Sequence, residues 1–563
     1  MTPFPHLRLP RLHARLMRTA LSAALFLSLL LAPATAENTP DRDSDAIIDG
    51  YHDFQTLRET AHNLADAHET VTVEKLGTTL GGRGVGLITL AHPDVDPATN
   101  PAILILGQEH APHLLGSELA LRIAADLAER EDLLRRVTFY IIPRPSPDAS
   151  EAFFTLPYYQ RTTNLRPTDD DNDGLHSEDG PNDLNDDGYV TQLRIADPEG
   201  THTPHADDDR VMVKAPPDTP ADERYTIITE AKDDDGDERI GEDGPGGVAF
   251  DLNFPFEYPY FKRGAGPHQV SEVETRSVAD FAFDHPNIAA VFTFSPRDNL
   301  LHPWKPNPGA EQQRIKTTLQ SDDAPYYGQI IERYKTHHAA GDPPPAMEGG
   351  GDFVQWAYFH YGRLSLAARA WAPPKAEGED APDHRDLAVL DWFEREGMDG
   401  FVDWQVIDHP DYPGKRVEVG GFKPFVRLNP PAEMLDDLAD THGAFVVDLA
   451  EMLPRLVLRD VKVEPLDGGL VRVTVRVVNE GSLPSVMRMG AINKVPEPVR
   501  LKLELPDDPD AELLTGDSRV TLPALRGNGG SHEQTWLIRT EAELLQLTVE
   551  GPAVHGDSHE VEW

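Results

Sequence analysis

Residues 104–118 read LILGQEHAPHLLGSE, and this stretch decides the fold. It continues an apolar, strand-like run that starts at Ala102, breaks at Gly107, and then places His110 and His113 in a turn. Leucine and isoleucine then recur every four residues, which predicts a helix. Open α/β sheets place their chemistry where a strand ends in a loop that leads to a helix. Two histidines three residues apart can converge on one metal ion, so the stretch predicts an α/β fold with a candidate metal site.

The first 36 residues have the pattern of a secretory signal peptide. Four arginines precede an apolar segment at 20–31, and Ala34-Thr35-Ala36 offers a small-residue cleavage site. The apolar segment is too short for a comfortable membrane span, and nothing later in the sequence reaches spanning length. We therefore expect an exported, soluble protein, periplasmic or extracellular.

Composition narrows the classes of partner and cofactor. The chain of 563 residues carries 51 Lys and Arg against 96 Asp and Glu, a formal net charge of −45. Such acidity argues against nucleic acid, because phosphates would be repelled. The sequence contains no cysteine, which excludes disulfides and thiolate metal sites. An exported chain of this kind must draw its stability from its core or from bound metal ions.

The sequence after the signal peptide divides into three parts. Residues 37–374 alternate strand and helix patterns, which predicts an α/β domain with a mixed central sheet flanked by helices. Residues 375–455 carry two further helical patterns and predict a helical extension packed on that domain. Residues 456–563 carry short strands with alternating valines, which predict a C-terminal all-β sandwich.

An acidic insertion at about 168–245 interrupts the α/β domain. Residues 169–174 read DDDNDG, residues 183–188 read DLNDDG, and residues 233–237 give a less regular third copy, DDDGD. Oxygen ligands at alternate positions before a glycine are the chemistry of a calcium loop, although a solvated acidic run is the plainer reading. The predicted calcium ligands are Asp169, Asp171, Asp173, Asp183, Asn185, Asp187, Asp233, Asp235 and Asp237.

Four further segments are informative when they are taken with this insertion. They are GQEHAPH at 107–113, IIPRPSPDA at 141–149, GVAFDLNFP at 247–255 and SEVETRSVADF at 271–281. Together they resemble the zinc metallocarboxypeptidase (carboxypeptidase A-like) family, and most closely a secreted bacterial branch with acidic calcium-loop insertions. The first segment stands where that family has G-x-x-H-x-x-E, and the third stands in register with its Gly-Val-Asp-Leu-Asn-Arg-Asn-Phe-Pro.

The resemblance implies a zinc ion held by two histidines and a glutamate, with a second glutamate as general base. It also implies an oxyanion arginine and an Asn-Arg pair that grips a substrate's terminal carboxylate. Matched position by position, this sequence keeps only the first zinc histidine. The matched positions are His110 for that histidine, His113 for the zinc glutamate, Ser295 for the third ligand, Asp251-Leu252 for the Asn-Arg pair and Arg369 for the general base.

A shifted register is the alternative explanation for these replacements. His302 is the nearest spare imidazole for a third ligand, and Glu348 or Asp352 is the nearest spare carboxylate for a base. Arg161 or Arg166 could supply the oxyanion arginine. Four mismatches at separate, well-marked places favour a lost site over a shifted one.

These replacements favour a secreted, non-catalytic protein of the family that binds peptide or cell-envelope material. The alternative is an active zinc-dependent carboxypeptidase or amidase with relocated ligands, so the residues leave enzymatic activity open. A third hypothesis, compatible with the first, is a calcium-stiffened scaffold module. Calcium is the expected cofactor, while two histidines alone are too few for a tightly held catalytic zinc ion.

Overall fold

The computed structural model describes residues 50–169, 174, 176–177, 179–234, 236, 239–241, 246–338, 343–374, 384–505 and 509–563. The expected signal peptide lies outside the described residues, as do four predicted calcium ligands, Asp171, Asp173, Asp235 and Asp237. Within the described ranges, we find no helix whose length and apolar character would let it cross a membrane.

A mixed six-stranded sheet forms the centre of the α/β domain. Its strands, in spatial order, are β1 (Val71–Thr78), β2 (Gly84–Leu90), β4 (Thr138–Ile142), β3 (Ala102–Leu106), β9 (Ile288–Phe294) and β10 (Leu364–Ala368). The first two pairings are antiparallel, and the four strands from β4 to β10 run parallel. Every residue of β3 is buried, as expected for a strand covered on both faces.

Helices pack on both faces of this sheet. The helices are α1 (Phe54–Ala67), α2 (Leu115–Ala128), α3 (Glu131–Leu134), α4 (Pro147–Glu151), α5 (Val273–Asp284), α6 (Pro308–Glu311), α7 (Ala324–His337), α8 (Phe353–Phe359), α9 (Arg385–Glu396), α10 (Leu435–Met452) and α11 (Arg488–Asn493). Alternate residues of β3 enter two different cores. Ile103 and Ile105 pack with α2, α7 and α10, whereas Leu104 and Leu106 pack with α5 and α8.

Two glycines fix how closely α2 approaches the end of β3. A Cβ at Gly116 would lie 1.7 Å from the carbonyl oxygen of Gly107, so no larger side chain fits there. This contact sets the histidine turn against the first turn of α2. The predicted strand, glycine break and helix are therefore present in that order.

A second sheet, antiparallel throughout, joins the acidic insertion to the later extension. Its order is β11 (Phe401–Ile407), β12 (Val417–Phe422), β5 (Gln192–Ala196), β8 (Tyr225–Thr229), β6 (His202–Pro204) and β7 (Met212–Lys214). The extension predicted as helical over 375–455 is therefore helical only toward its two ends, at α9 and α10. The two strands between them are held by long-range pairing with the insertion, which local patterns do not reveal.

The C-terminal domain consists of two antiparallel four-stranded sheets. The strand order of the first sheet is β13 (Leu456–Leu466), β14 (Leu470–Asn479), β18 (Gly530–Arg539), β16 (Glu512–Thr515). The strand order of the second is β17 (Arg519–Thr521), β15 (Arg500–Glu504), β19 (Leu544–Glu550), β20 (Asp557–Glu562). The alternating valines of β14 are buried with Trp536 in the core of this domain. The predicted α/β domain with a mixed sheet, followed by a β-rich C-terminal domain, is confirmed.

One buried carboxylate ties the two domains together. Asp323, at the start of α7, accepts hydrogen bonds from the backbone N–H groups of Arg488 (2.7 Å) and Met489 (3.1 Å) in α11. The hydroxyl of Tyr358 in α8 donates to the same carboxylate at 2.7 Å. The C-terminal domain is thus anchored through charge-assisted hydrogen bonds to the helix layer of the α/β domain.

Candidate functional site

The candidate site lies at the carboxyl edge of the central sheet. Since β3, β9 and β10 run parallel, the residues that follow them reach the same edge. The turn after β3 carries His110, Ser295 follows β9, and Arg369 follows β10. The backbone N–H of Ser295 donates to the carbonyl of Ala368 at 2.9 Å, which holds two of these strand ends together. A short 3₁₀ turn at Phe250–Leu252 brings Asp251 to the same place.

His110 is paired with Asp251, which stands at the expected substrate-clamp position. Its Nδ1 lies 3.1 Å from Oδ2 of Asp251, and both side chains are buried. Burial raises the pKa of Asp251, but the interaction with His110 and the nearby guanidinium of Arg297 outweigh burial and hold that pKa below its ordinary value. Asp251 is therefore an ionised, internally paired group.

His113 is turned onto the backbone of the neighbouring strand end. Its Nε2 lies 2.9 Å from the carbonyl oxygen of Arg369, and the side chain is fully buried. Burial, followed by the positive charge of Arg369, lowers the pKa of His113 to about 3. The ring is therefore neutral at physiological pH. It donates through Nε2, and its Nδ1 has no hydrogen-bond partner among the described residues.

A buried guanidinium occupies the space beside these groups. Arg297 follows β9 by three residues, and its Nη2 lies 3.8 Å from Oδ2 of Asp251 while its Nη1 lies 3.7 Å from Oδ2 of Asp352. Nη1 also donates to the carbonyl of Gly349 at 2.9 Å. The guanidinium is thus held between two carboxylates that come from distant parts of the chain.

A third carboxyl, Glu109, lies in the same buried cluster. Its Oε1 accepts the backbone N–H groups of Phe353 (2.7 Å) and Val354 (3.3 Å) at the start of α8. Burial, and then the charge of Asp352, raise the pKa of Glu109 to about 8. Burial likewise raises the pKa of Asp352 to about 6, against the opposing effect of Arg297. At neutral pH, Glu109 is therefore the acid of this cluster that keeps its proton.

The residues at this edge do not fit a catalytic zinc ion. Across the described residues, no group of three or more His, Asp or Glu side chains is arranged to hold a metal ion. His113 has only Nδ1 left for a metal ion, because its Nε2 donates to the carbonyl of Arg369, and the Oγ of Ser295 accepts the backbone N–H of Arg297 at 3.1 Å. A three-ligand zinc site with an open position needs a third imidazole or carboxylate here.

The spare residues considered from the sequence are engaged elsewhere. His302 has its Nε2 2.9 Å from the carbonyl of Pro344. Asp352 caps α8 by accepting the N–H of Gln355 at 2.7 Å. Glu348 is exposed.

The two candidate oxyanion arginines are also engaged away from His110. Arg161 donates to the carbonyl of Thr163 at 2.7 Å, and Arg166 pairs with Glu272 at 3.2 Å. The structure therefore does not direct either guanidinium at the histidine turn.

Two cavities lie near this edge and beside the second sheet. One, of about 620 Å³, is lined by Arg297, Asp352, Trp304 and Met347, among others. The other, of about 780 Å³, is lined by residues of the second sheet such as Trp404 and by the loop after β12. Both volumes are in the range of pockets that bury a small ligand.

The described parts of the acidic repeats share one local geometry. The carboxylate of the first aspartate accepts the N–H of the phased glycine in each copy: Asp169 with Gly174 (3.1 Å), Asp183 with Gly188 (2.8 Å), and Asp233 with Gly236 (2.6 Å). All three glycines have φ between +87° and +98°. In each copy, the described residues thus make the aspartate–glycine contact expected at a sharp turn. In the second copy Asn185 and Asp187 lie on the same turn, with Asn185 Nδ2 3.0 Å from Asp187 Oδ2.

Sequence reasoning did not single out Glu109 or Arg297. Glu109 lies inside the histidine turn at 107–113. Its position directly after a buried strand is the signal that could have identified it. Arg297 lies in an ordinary loop, PRDN, and its partners come from residues 251, 349 and 352. No local pattern marks such a residue.

The comparisons with known proteins agree with this architecture. Residues 57–181 match the zinc carboxypeptidase family (Peptidase_M14), and residues 455–562 match a domain of unknown function, DUF8731. No curated protein matches the chain.

Similar solved structures include carboxypeptidase A from Helicoverpa armigera, with 11% identity over 73% of this chain and 76% of that one and a TM-score of 0.38. A metallo-carboxypeptidase from Burkholderia cenocepacia has 13% identity over 70% and 68%, with a TM-score of 0.33. At these identities and TM-scores the likeness says nothing about the site. Residues 57–181 thus match the zinc carboxypeptidase family, and the chain has a carboxypeptidase-like α/β fold followed by a β-rich C-terminal domain.

Proposed function

We propose that this chain is an exported, non-catalytic protein of the zinc-carboxypeptidase type that binds a peptide or cell-envelope ligand. The observation that carries the proposal is the residue at the expected third-ligand position. Ser295 stands there, and its Oγ accepts the backbone N–H of Arg297 at 3.1 Å. His110 and the Nδ1 of His113, which is free among the described residues, are two nitrogen ligands at most, and a catalytic zinc ion needs three protein ligands.

The chemistry of peptide hydrolysis supports the same proposal. The general-base position carries Arg369, a guanidinium that is protonated at all physiological pH values and takes no proton from water. At the clamp position, Leu252 offers no positive charge, and Asp251 adds a carboxylate that would repel a peptide's C-terminus. Two separate steps, water activation and substrate capture, therefore lack their groups.

Space for a ligand remains beside the cluster. The cavity of about 620 Å³ includes Trp304 and Met347, which supply apolar contact, and the charged edge formed by Arg297 and Asp352. A few polar groups on an apolar wall are the usual features of a binding pocket. The old cleft therefore remains a candidate for peptide binding after the loss of catalysis.

Metal analysis combined with a peptidase assay tests this proposal. Purified full-length protein is analysed for zinc per chain and assayed for release of C-terminal residues, with and without a chelator. We expect less than a tenth of an equivalent of zinc and no chelator-sensitive release. One equivalent of zinc together with hydrolysis that the chelator abolishes would contradict it and would favour the active enzyme with relocated ligands.

We also propose that the acidic insertion binds calcium. The repeated turn, with the first aspartate bonded to the phased glycine, supports this assignment for the copies at 169–174 and 183–188. Export is proposed on the N-terminal sequence pattern alone, and appearance of the chain in a periplasmic or culture fraction, shortened after residue 36, tests it.

A further inference from the structure

We propose that the guanidinium of Arg297 is the resident cation of the former metal pocket and neutralises the buried carboxylates there. The inference rests on the proposed loss of the zinc centre and adds what has taken the place of the ion's charge. According to this inference, the pocket is a cation-binding site, and the cation that it binds is a side chain of the protein itself.

The pocket contains more buried acid than a protein interior tolerates without a counter-charge. Glu109, Asp251 and Asp352 are each at most 4% exposed. Burying an ionised carboxylate costs several kcal/mol unless a cation and hydrogen bonds compensate. These three carboxyls therefore require a positive partner at this point of the fold.

Arg297 is the cation that the geometry supplies. Its two terminal nitrogens face Asp251 and Asp352 at 3.8 and 3.7 Å. Arg369, the other guanidinium nearby, instead donates to the carbonyl oxygens of Pro296 and Pro345. His110 pairs with Asp251.

The surrounding backbone is shaped to hold a planar group. Gly349 has a φ of +124°, which favours glycine, and its carbonyl accepts from Nη1 of Arg297 at 2.9 Å. The carbonyl of Asp251 accepts from Nη2 at 3.4 Å. A Cβ at Gly349 would lie 3.7 Å from Nη1 and 3.9 Å from Nη2 of Arg297, so this glycine packs directly against the guanidinium. Several acceptors around one flat, permanently charged group fit guanidinium better than ammonium.

Chemical rescue of Arg297→Ala tests the inference. Thermal unfolding midpoints are measured for the full-length wild type, Arg297→Ala and Arg363→Ala at pH 7, with 0–50 mM guanidinium, methylguanidinium or methylammonium, or with zinc. Arg363 is the matched control, because it is also buried but bonds to the carbonyl of Pro286 and stacks on Tyr361.

We expect Arg297→Ala to have a lower midpoint and to recover at least half of the loss with guanidinium, methylguanidinium or zinc. Wild type and Arg363→Ala should show no such recovery. A folded Arg297→Ala that no cation stabilises would overturn the inference.

A second variant covers the case in which Arg297→Ala does not fold. Arg297→Met combined with Asp352→Asn removes one charge of each sign, so we expect it to fold and to be more stable than Arg297→Met alone. If the double variant is no more stable, the inference is wrong. Stoichiometric zinc in the wild type would contradict the proposed function, whereas these stability readouts test Arg297 alone.

Discussion

Nε2 of His113 lies 2.9 Å from the carbonyl oxygen of Arg369. One residue stands at the expected metal-ligand position and the other at the expected general-base position, and a backbone hydrogen bond now joins them. The two positions that the family resemblance assigns to a zinc ligand and a general base are thus in direct contact at adjacent strand ends. The neutral, buried imidazole that results gives the first prediction.

We expect the two buried histidines His113 and His442 to contribute a loss of stability as pH falls below about 6.5, against an opposite contribution from buried acids such as Glu109. Burial lowers the pKa values of His113 and His442 to about 3. Below the ordinary histidine pKa, these two residues are therefore protonated in the unfolded chain but remain neutral in the folded chain. Each histidine then costs about 1.4 kcal/mol per pH unit. Urea unfolding between pH 7 and pH 4 measures the slope.

The variant His442→Phe should reduce that slope by about one histidine's share, because His442 packs against the rings of Phe294 and Tyr334 and a phenyl ring can take its place. His62→Gln, on the exposed side of α1, is the control. An unchanged slope in His442→Phe would show that the acid sensitivity has another origin.

Glu109 predicts the opposite dependence at higher pH. Because its folded-state pKa is raised to about 8, the folded chain holds a proton that the unfolded chain releases above pH 4.5. Stability is therefore lost as pH rises from 4.5 to 8, by at most about 1.4 kcal/mol per unit. Glu109→Gln should flatten this limb and be more stable than wild type at pH 8, whereas the exposed Glu257→Gln should not. Equal limbs in wild type and Glu109→Gln would disprove the assignment.

Removal of the interdomain carboxylate should uncouple the two domains. Asp323→Ala loses three hydrogen bonds to Arg488, Met489 and Tyr358, and we expect a loss of about 3 kcal/mol. Calorimetry should then resolve a separate transition for the C-terminal domain, which has its own core. Glu332→Ala, at an exposed position of α7 that pairs with Lys335 of the same helix, is the control. A single unshifted transition in Asp323→Ala would contradict the anchoring role.

Calcium should stabilise the folded chain through the acidic repeats. At a calcium concentration 100 times the dissociation constant, one site adds about 2.7 kcal/mol. Asp183→Asn combined with Asp187→Asn should reduce the shift in unfolding midpoint. Asp207→Asn, an exposed acid outside the repeats, should retain it. If EDTA leaves the wild-type midpoint unchanged, calcium has no role in stability.

The elements that the sequence predicts best are those whose signals are local. The β3 strand, the break at Gly107 and helix α2 follow from an apolar run, a glycine and a helical repeat within 30 residues. The buried alternation of β14 is read from four valines. In both cases each residue's neighbours in sequence are also its neighbours in the element.

Features that depend on distant partners could not be read in this way. Strand β11 has an irregular burial pattern, and its place in the second sheet depends on β12 and, through it, on the insertion. Arg297 acquires its role only when residues 251, 349 and 352 are brought around it. The replaced motif predicts a changed metal site, but it does not indicate which cation contacts the buried carboxylates.

Completion of the second sheet depends on how much of the chain has been synthesised. Val417 in β12 pairs with Ile195 in β5, and β12 lies between β5 and β11 in that sheet. A nascent chain that has emerged only as far as residue 400 leaves the inner edge of β5 unpaired, with Leu193 and Ile195 lacking the cover of Val417 and Val419. Such an edge is a template for pairing with other chains. The acidic insertion therefore completes its fold only after most of the protein has been made, and its density of negative charge keeps the waiting segment in solution.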